Sequence, residues 1–235
     1  MTATAERSRV LSALDLVRDP ELDEPITTLG FVASCHVSAA GDVVVRLRLP
    51  TYFCAPNFAF LMVADAYDVL AALPEVRTVD VALEDHFAAD QINAGVAARA
   101  GFVAAFDGEA AAELDELRRA FVSKAMLAGT HQVCRPLVAA GTDPAELSRL
   151  TLGDVPPSAD LDRLRRRRDE LGLRTDDSAP LLVDPGGTPV AAAGAPKYLG
   201  LARLTQTGIE ANTGICRGML QHRYTGAGAG EEGAP

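Results

Sequence analysis

Asp42-Val43-Val44-Val45-Arg46-Leu47-Arg48-Leu49 is the stretch whose reading decides the fold. Val43, Val45, Leu47 and Leu49 fall on one side, and Val44, Arg46 and Arg48 on the other. Alternation with a period of two marks a strand with one buried and one wet face. Upstream, residues 29–38 alternate in the same way, which assigns Phe31, Ala33, Cys35 and Val37 to one face. Ala39-Ala40-Gly41-Asp42 lies between the two runs as a turn, so the pair reads as an antiparallel hairpin.

Further out, Val10, Leu11, Leu14 and Val17 recur at steps of three and four, predicting a helix over 6–17 that Arg18-Asp19-Pro20 stops. Downstream, Pro50-Thr51-Tyr52-Phe53-Cys54-Ala55-Pro56-Asn57 reads as an irregular loop. A helix follows over 57–73, with Phe58, Leu61, Met62, Val69, Leu70 and Leu73 as its apolar stripe and Pro74 as its stop. Residues 78–84 alternate again, placing Val79, Val81 and Leu83 inward. The expected fold is α+β: an α-β-β-α-β domain with helices on one face of a three-stranded sheet.

Residues 89–224 read as a mostly helical extension, giving domains at 1–88 and 89–224. The best helical stretch is 110–128, with Gly129 and Pro136 expected to interrupt its continuation. Ser158, after Pro156-Pro157, is placed to cap a helix over 161–171. That helix carries Arg163 and the run Arg165 to Arg168, expected to form a solvated, salt-bridged surface or a contact for an acidic partner. Residues 175–196 are loop-like, and residues 197–222 are helical but expected to break at Gly208 and Gly214. The glycine-rich, acidic residues 225–235 are expected to be a disordered tail.

The 235-residue chain is 48% hydrophobic and carries a net charge of −10. That charge argues against nucleic-acid binding, which needs a basic surface. No apolar run reaches the roughly 18–20 residues of a membrane helix, and the N-terminus lacks a secretion signal's apolar core. A cytoplasmic protein without membrane partners is expected. Cys35, Cys54, Cys134 and Cys216 are widely spaced and form no C-x-x-C pair, so they are expected to be free thiols. No hydrolase triad, phosphate-binding loop or dinucleotide fingerprint is present, and the chain is expected not to be an enzyme.

Three separated features narrow the fold to a family. Asp19-Pro20-Glu21-Leu22, then Pro25-Ile26-Thr27-Thr28-Leu29-Gly30-Phe31-Val32, resembles the opening motif of the PaaD/SufT-like iron–sulfur cluster assembly domain. Leu47-Arg48-Leu49, then Thr51 and Cys54 before a helix, resembles its second motif, and the strand after Pro74-Glu75-Val76 fits its third. The resemblance spans about residues 6–85. Two positions depart from the pattern: Ala55 separates Cys54 from Pro56, and Thr28 replaces an acidic residue before Leu29-Gly30. The resemblance implies a factor that delivers an iron–sulfur cluster, or iron, to a client metalloenzyme, with the cargo held transiently. The long extension and composition also resemble members that accompany actinobacterial multicomponent monooxygenases, implying a monooxygenase component as client.

Cys54 is the leading ligand candidate. It lies where a strand ends and a helix begins, and the partial positive charge of a helix N-terminus favours thiolate, the iron-binding form. In the family, Asp19 and Glu21 border the cysteine loop, where they are able to ligate iron, orient Thr51 or shape a turn. Thr51 reads as a loop hydrogen bonder. Cys35, on the apolar strand face, reads as a small buried hydrophobe, with His36 pointing outward. His86 follows the third strand and is able to approach Cys54. His131 and Cys134 share a helix face at three-residue spacing, but two ligands do not make a site, so a third is needed from Cys54, His86 or Cys216; the favoured reading is a helix end with a buried Cys134 and an exposed His131. Cys216 lies between Gly214 and Gly218, a pattern that marks close packing, a contact site or, equally, a mobile C-terminal segment. A homodimer pairing two Cys54 thiolates is one way to complete a site. The competing reading is a metal-free scaffold for the same client. A nucleophilic Cys54 needs a base, for which His86 and His131 are the candidates.

Overall fold

In the computed structural model, which describes residues 3–110 and 112–225, the alternating stretch forms β2, Asp42–Leu47. It pairs antiparallel with β1, Val32–Val37, placing Cys35 opposite Val45 and His36 opposite Val44. The turn between them needs Gly41: its φ is +82°, and a Cβ there would lie 2.6 Å from the Glu75 carbonyl oxygen. β3, Thr78–Leu83, joins the other edge of β2 in parallel, giving a mixed sheet of order β1-β2-β3. A parallel pair requires a crossover, which α2, Pro56–Ala71, supplies.

Val43, Val45, Leu47, Val81 and Leu83 are buried in one core with Ala59, Met62, Val63, Ala66 and Leu70 of α2. Val10 and Leu14 of α1, Ala3–Leu14, join them. Each fully buried aliphatic side chain contributes about 1.5–3 kcal/mol of gross burial free energy, so this face holds the sheet to its helices. On the opposite face, Arg46 meets Asp80 at 2.7 Å and Glu84 at 3.8 Å. The α-β-β-α-β order and the α+β class are those read from the sequence. One assignment is corrected. Ala33 is exposed, because a register irregularity between Val32 and Ser34 adds a residue to β1 and turns Ala33 away from the face of Phe31 and Cys35.

The chain divides into two units, one of residues up to Leu114 together with Asn212 onward, the other Asp115–Ala211. The sequence boundary at residue 88 falls inside the first unit. Ile92 and Val96 of α3, Ala89–Ala97, and Phe106, just after α4, Phe102–Ala105, are buried in the same core as the sheet.

The second unit contains α5, Asp115–Ala139, α6, Pro144–Leu147, α7, Ala159–Glu170, and the first part of α8, Ala195–Thr225. Its core gathers Met126, Val133 and Cys134 with Leu161, Leu164, Leu181 and Leu182. Neither Gly129 nor Pro136 ends α5. The cost of a helical proline, about 3 kcal/mol, is offset by burying Met126, Val133 and Cys134. Gly208 and Gly214 do not break α8 either. Ser158 caps α7, its side chain accepting from the Leu161 N–H at 3.2 Å.

The arginine run is only partly the solvated, salt-bridged surface expected: Arg166 is exposed, but Arg167 and Arg168 turn inward. Arg168 is 1% exposed and donates to the carbonyls of Pro180 at 2.8 Å and Leu181 at 2.6 Å. Arg167 is also buried and pairs with Glu170, while Arg165 donates to the Leu152 and Thr175 carbonyls and pairs with Asp177. Four successive positions point all around a helix, and on α7 two of them, Arg167 and Arg168, face inward. The expected tail, apart from Thr225 at the end of α8, lies outside the described residues. Among the described residues, no helix is long and apolar enough to cross a membrane.

Candidate functional site

The site is built on the loop that leaves β2. Thr51 shapes it, its Oγ1 accepting from the Phe53 N–H at 3.2 Å and lying 3.3 Å from Cys54 Sγ. Ala55 caps α2 without a side-chain bond, and Pro56 opens the helix, so Cys54 sits one residue outside the N-cap. Proline at that position is favoured because its missing N–H has no helical partner there. Cys54 is half-buried.

His86 braces the loop from the end of β3. Its Nε2 donates to the Cys54 carbonyl at 2.7 Å, while its Nδ1 accepts from the Ala88 N–H at 3.2 Å. Both ring nitrogens are engaged, leaving no lone pair for a metal, and the bond to residue 54 reaches the carbonyl rather than the thiol. His86 is therefore neither a ligand nor a base for Cys54 in this arrangement. Burial holds its pKa below the ordinary histidine value, helped by the Arg223 charge and opposed by the bond to Cys54.

The Asp19-Pro20-Glu21-Leu22 turn is an Asx turn. Asp19 Oδ1 accepts from the N–H groups of Glu21 at 2.9 Å and Leu22 at 2.8 Å. Glu21 Oε1 accepts from Asn212 Nδ2 at 3.3 Å. That contact belongs to a longer docking. Asn212, Cys216, Leu220 and Tyr224 recur every four residues and share one face of α8. Leu220 is buried against Gly30, and the Tyr224 hydroxyl reaches Asp85 at 3.1 Å. Arg217 pairs with Glu24 at 2.5 Å, and Arg223 reaches the Leu49 carbonyl at 3.1 Å and the Asp85 carbonyl at 2.7 Å.

Cys216 therefore faces the cysteine loop and the acidic turn. Burial pushes its thiol pKa up to about 11, and the negative charges of Asp19, Cys54 and Glu21 push the same way. The close-packing reading of its glycines is corrected: a Cβ on Gly214 or Gly218 would meet nothing within 4 Å. Cys35 is buried in the core, and burial raises its pKa, while His36 is exposed. His131 and Cys134 lie in the second unit, where burial pushes the Cys134 thiol up to about 12. Among the described residues, no group of three or more His, Cys, Asp or Glu is arranged to hold a metal ion.

The residue-type reading missed the aromatic surroundings of Cys54. Tyr52, Phe53 and Phe87 are 45%, 76% and 50% exposed, so they form a surface cluster rather than a core. The Tyr52 and Phe53 centroids lie 5.1 Å apart, and those of Phe53 and Phe87 lie 5.9 Å apart. Their position in loops, off any apolar period, is the sequence signal that points to them.

Residues 7–81 match the family model of iron-sulfur cluster assembly proteins. This is the family that the sequence motifs resemble, over almost the same residues. The iron–sulfur assembly match includes Asp19, Glu21, Thr51 and Cys54, and ends before His86. A crystal structure of a domain of unknown function, DUF59, from Bacillus anthracis is 27% identical. That alignment covers 34% of this chain and 76% of that one, with a TM-score of 0.32. No curated protein matches the chain.

Proposed function

We propose that this protein is an iron–sulfur cluster or iron assembly factor that matures a client metalloenzyme, with a multicomponent monooxygenase component as the client class. The observation that carries the proposal is the placement of Cys54. It lies in the segment matching the assembly family, half-buried at a helix entrance and beside exposed aromatic rings. Cys54 supplies the first thiolate, and Cys216, whose thiol feels the charges of Cys54, Asp19 and Glu21, is the candidate second sulfur donor. Two thiolates suit iron but do not complete its coordination.

Such an incomplete set suits a cargo that must leave. A twin chain or the client completes the coordination, and Tyr52, Phe53 and Phe87 form the apolar contact that brings the client to Cys54. The second unit adds grip on the client without contributing ligands. The protein then acts without catalysing a reaction of its own.

A metal-free scaffold is the second reading, favoured by the lack of any three-ligand group among the described residues. Anaerobic reconstitution with iron and sulfide separates the two. The assembly reading expects visible charge-transfer absorption in the wild type that is lost in Cys54→Ser. Loading of neither protein leaves the scaffold reading in its place, and equal loading of both removes Cys54 as the ligand.

A further inference from the structure

The second unit contains a cavity of about 580 Å³ lined by His131, Cys134 and Arg135 of α5, Pro144 of α6, and Leu199 and Arg203 of α8, with Val138, Ala139 and Gly200 completing the wall. Its size lies within the range of small-ligand sites, about 300–1,000 Å³. Several surface arginines elsewhere are matched to carboxylates, as in Arg9–Glu75, Arg77–Asp42, Arg99–Asp68 and Arg174–Asp176, whereas the two that line this cavity are not. Arg135 and Arg203 are exposed, and neither forms an ion pair or hydrogen bond among the described residues. Glu210, an acidic neighbour of His131, is engaged by Gln206 Nε2 at 2.8 Å.

The same charges decide between a cation and an anion. Burial lowers the His131 pKa most, Arg135 and Arg203 lower it further and Glu210 opposes them, so both guanidinium groups act on the imidazole. A divalent cation at His131 and Cys134 would sit in that positive field against a thiol that burial keeps protonated. An anion is attracted by the same field, and guanidinium groups bind carboxylate and phosphate oxygens in pairs.

We propose that this cavity binds a small organic anion, its carboxylate or phosphate head between Arg135 and Arg203 and its apolar body along Val138, Pro144 and Leu199. The site is independent of the cysteine loop and does not rest on the assembly reading. Gly200 gives it a clean steric control, since a Cβ there would meet nothing within 4 Å and a larger side chain projects into open space.

The test is calorimetric titration of the full chain with hexanoate, phenyl phosphate, inorganic phosphate and the neutral analogue hexanamide. Saturable binding of hexanoate or phenyl phosphate is expected, the stronger of the two identifying the head group, with no binding of hexanamide. Arg135→Gln and Arg203→Gln should each weaken the anion about tenfold or more, as the loss of one charge-assisted contact implies. Gly200→Leu, which favours the helix, should abolish binding by filling the cavity, and Cys54→Ser should leave it unchanged. The proposal is overturned by no saturable binding of either organic anion, by equal binding of hexanamide, or by binding that survives both arginine changes and Gly200→Leu. Binding of inorganic phosphate alone overturns the apolar part of the assignment.

Discussion

His86 shows how one residue can look like a ligand in sequence and serve as a brace in the fold. Neutral imidazole donates from Nε2 to the Cys54 carbonyl and accepts at Nδ1 from Ala88. Protonation places a hydrogen on Nδ1 and breaks the second bond. Because the folded pKa is lowered from 6.5, the unfolded chain takes up the proton first as pH falls. The stability supplied by the neutral ring is fully present above pH 6.5 and is lost as pH drops through the lowered folded value. Urea midpoints should therefore fall on the acid side of that window, and His86→Gln should flatten the decline. The four thiols sort by the same kind of environment. In the native protein Cys54 should alkylate first and Cys216 more slowly, with its pKa near 11, while Cys35 and Cys134 react only on unfolding. Mass spectrometry of a timed iodoacetamide reaction reads that order. Cys54 and Thr51 were legible as a pair because they are three residues apart in one loop. The approach of Cys216 was not, since it depends on a fold that joins residues far apart in sequence.

At the scale of the element, periodicity carried the small sheet and failed wherever a single residue type was read as punctuation. The β2 alternation gave β2 its buried face correctly, but alternation alone could not reveal the bulge that exposes Ala33. Gly129, Pro136, Gly208 and Gly214 all lie inside continuous helices, because tertiary burial along α5 and α8 outweighs local propensity. Gly214 and Gly218 neither pack closely nor adopt positive φ, so Gly214→Ala and Gly218→Ala should each stabilise the protein by about 0.5–1 kcal/mol in chemical denaturation. Arg168 has the opposite character. Its guanidinium satisfies two buried carbonyls, and Arg168→Ala leaves them unpaired beside a cavity. That substitution should cost about 3 kcal/mol or more, measured as a lowered urea midpoint. A run of four arginines reads as surface in any composition-based argument, and only the helix direction shows which of them turn inward.

For the whole molecule, the first unit is made from both ends of the chain. The segment matching the assembly family supplies the sheet, the acidic turn and the cysteine loop, and residues from Asn212 onward lay a helical face across them. The order of the small domain was legible because its strands are joined by one local hairpin and one crossover. The return of α8 was not, since no periodic pattern in residues 212–225 names its docking partner. In the proposed assembly role, Cys54 is the sulfur that first holds iron and Cys216 is the second donor. The most direct test is the iron and acid-labile sulfide content, per chain, of anaerobically reconstituted wild type, Cys54→Ser, Cys216→Ser and the double variant. Wild type should load, Cys216→Ser should load less or lose iron faster to a chelator, and both proteins lacking Cys54 should remain empty. Loading of Cys54→Ser to the wild-type level would contradict the account.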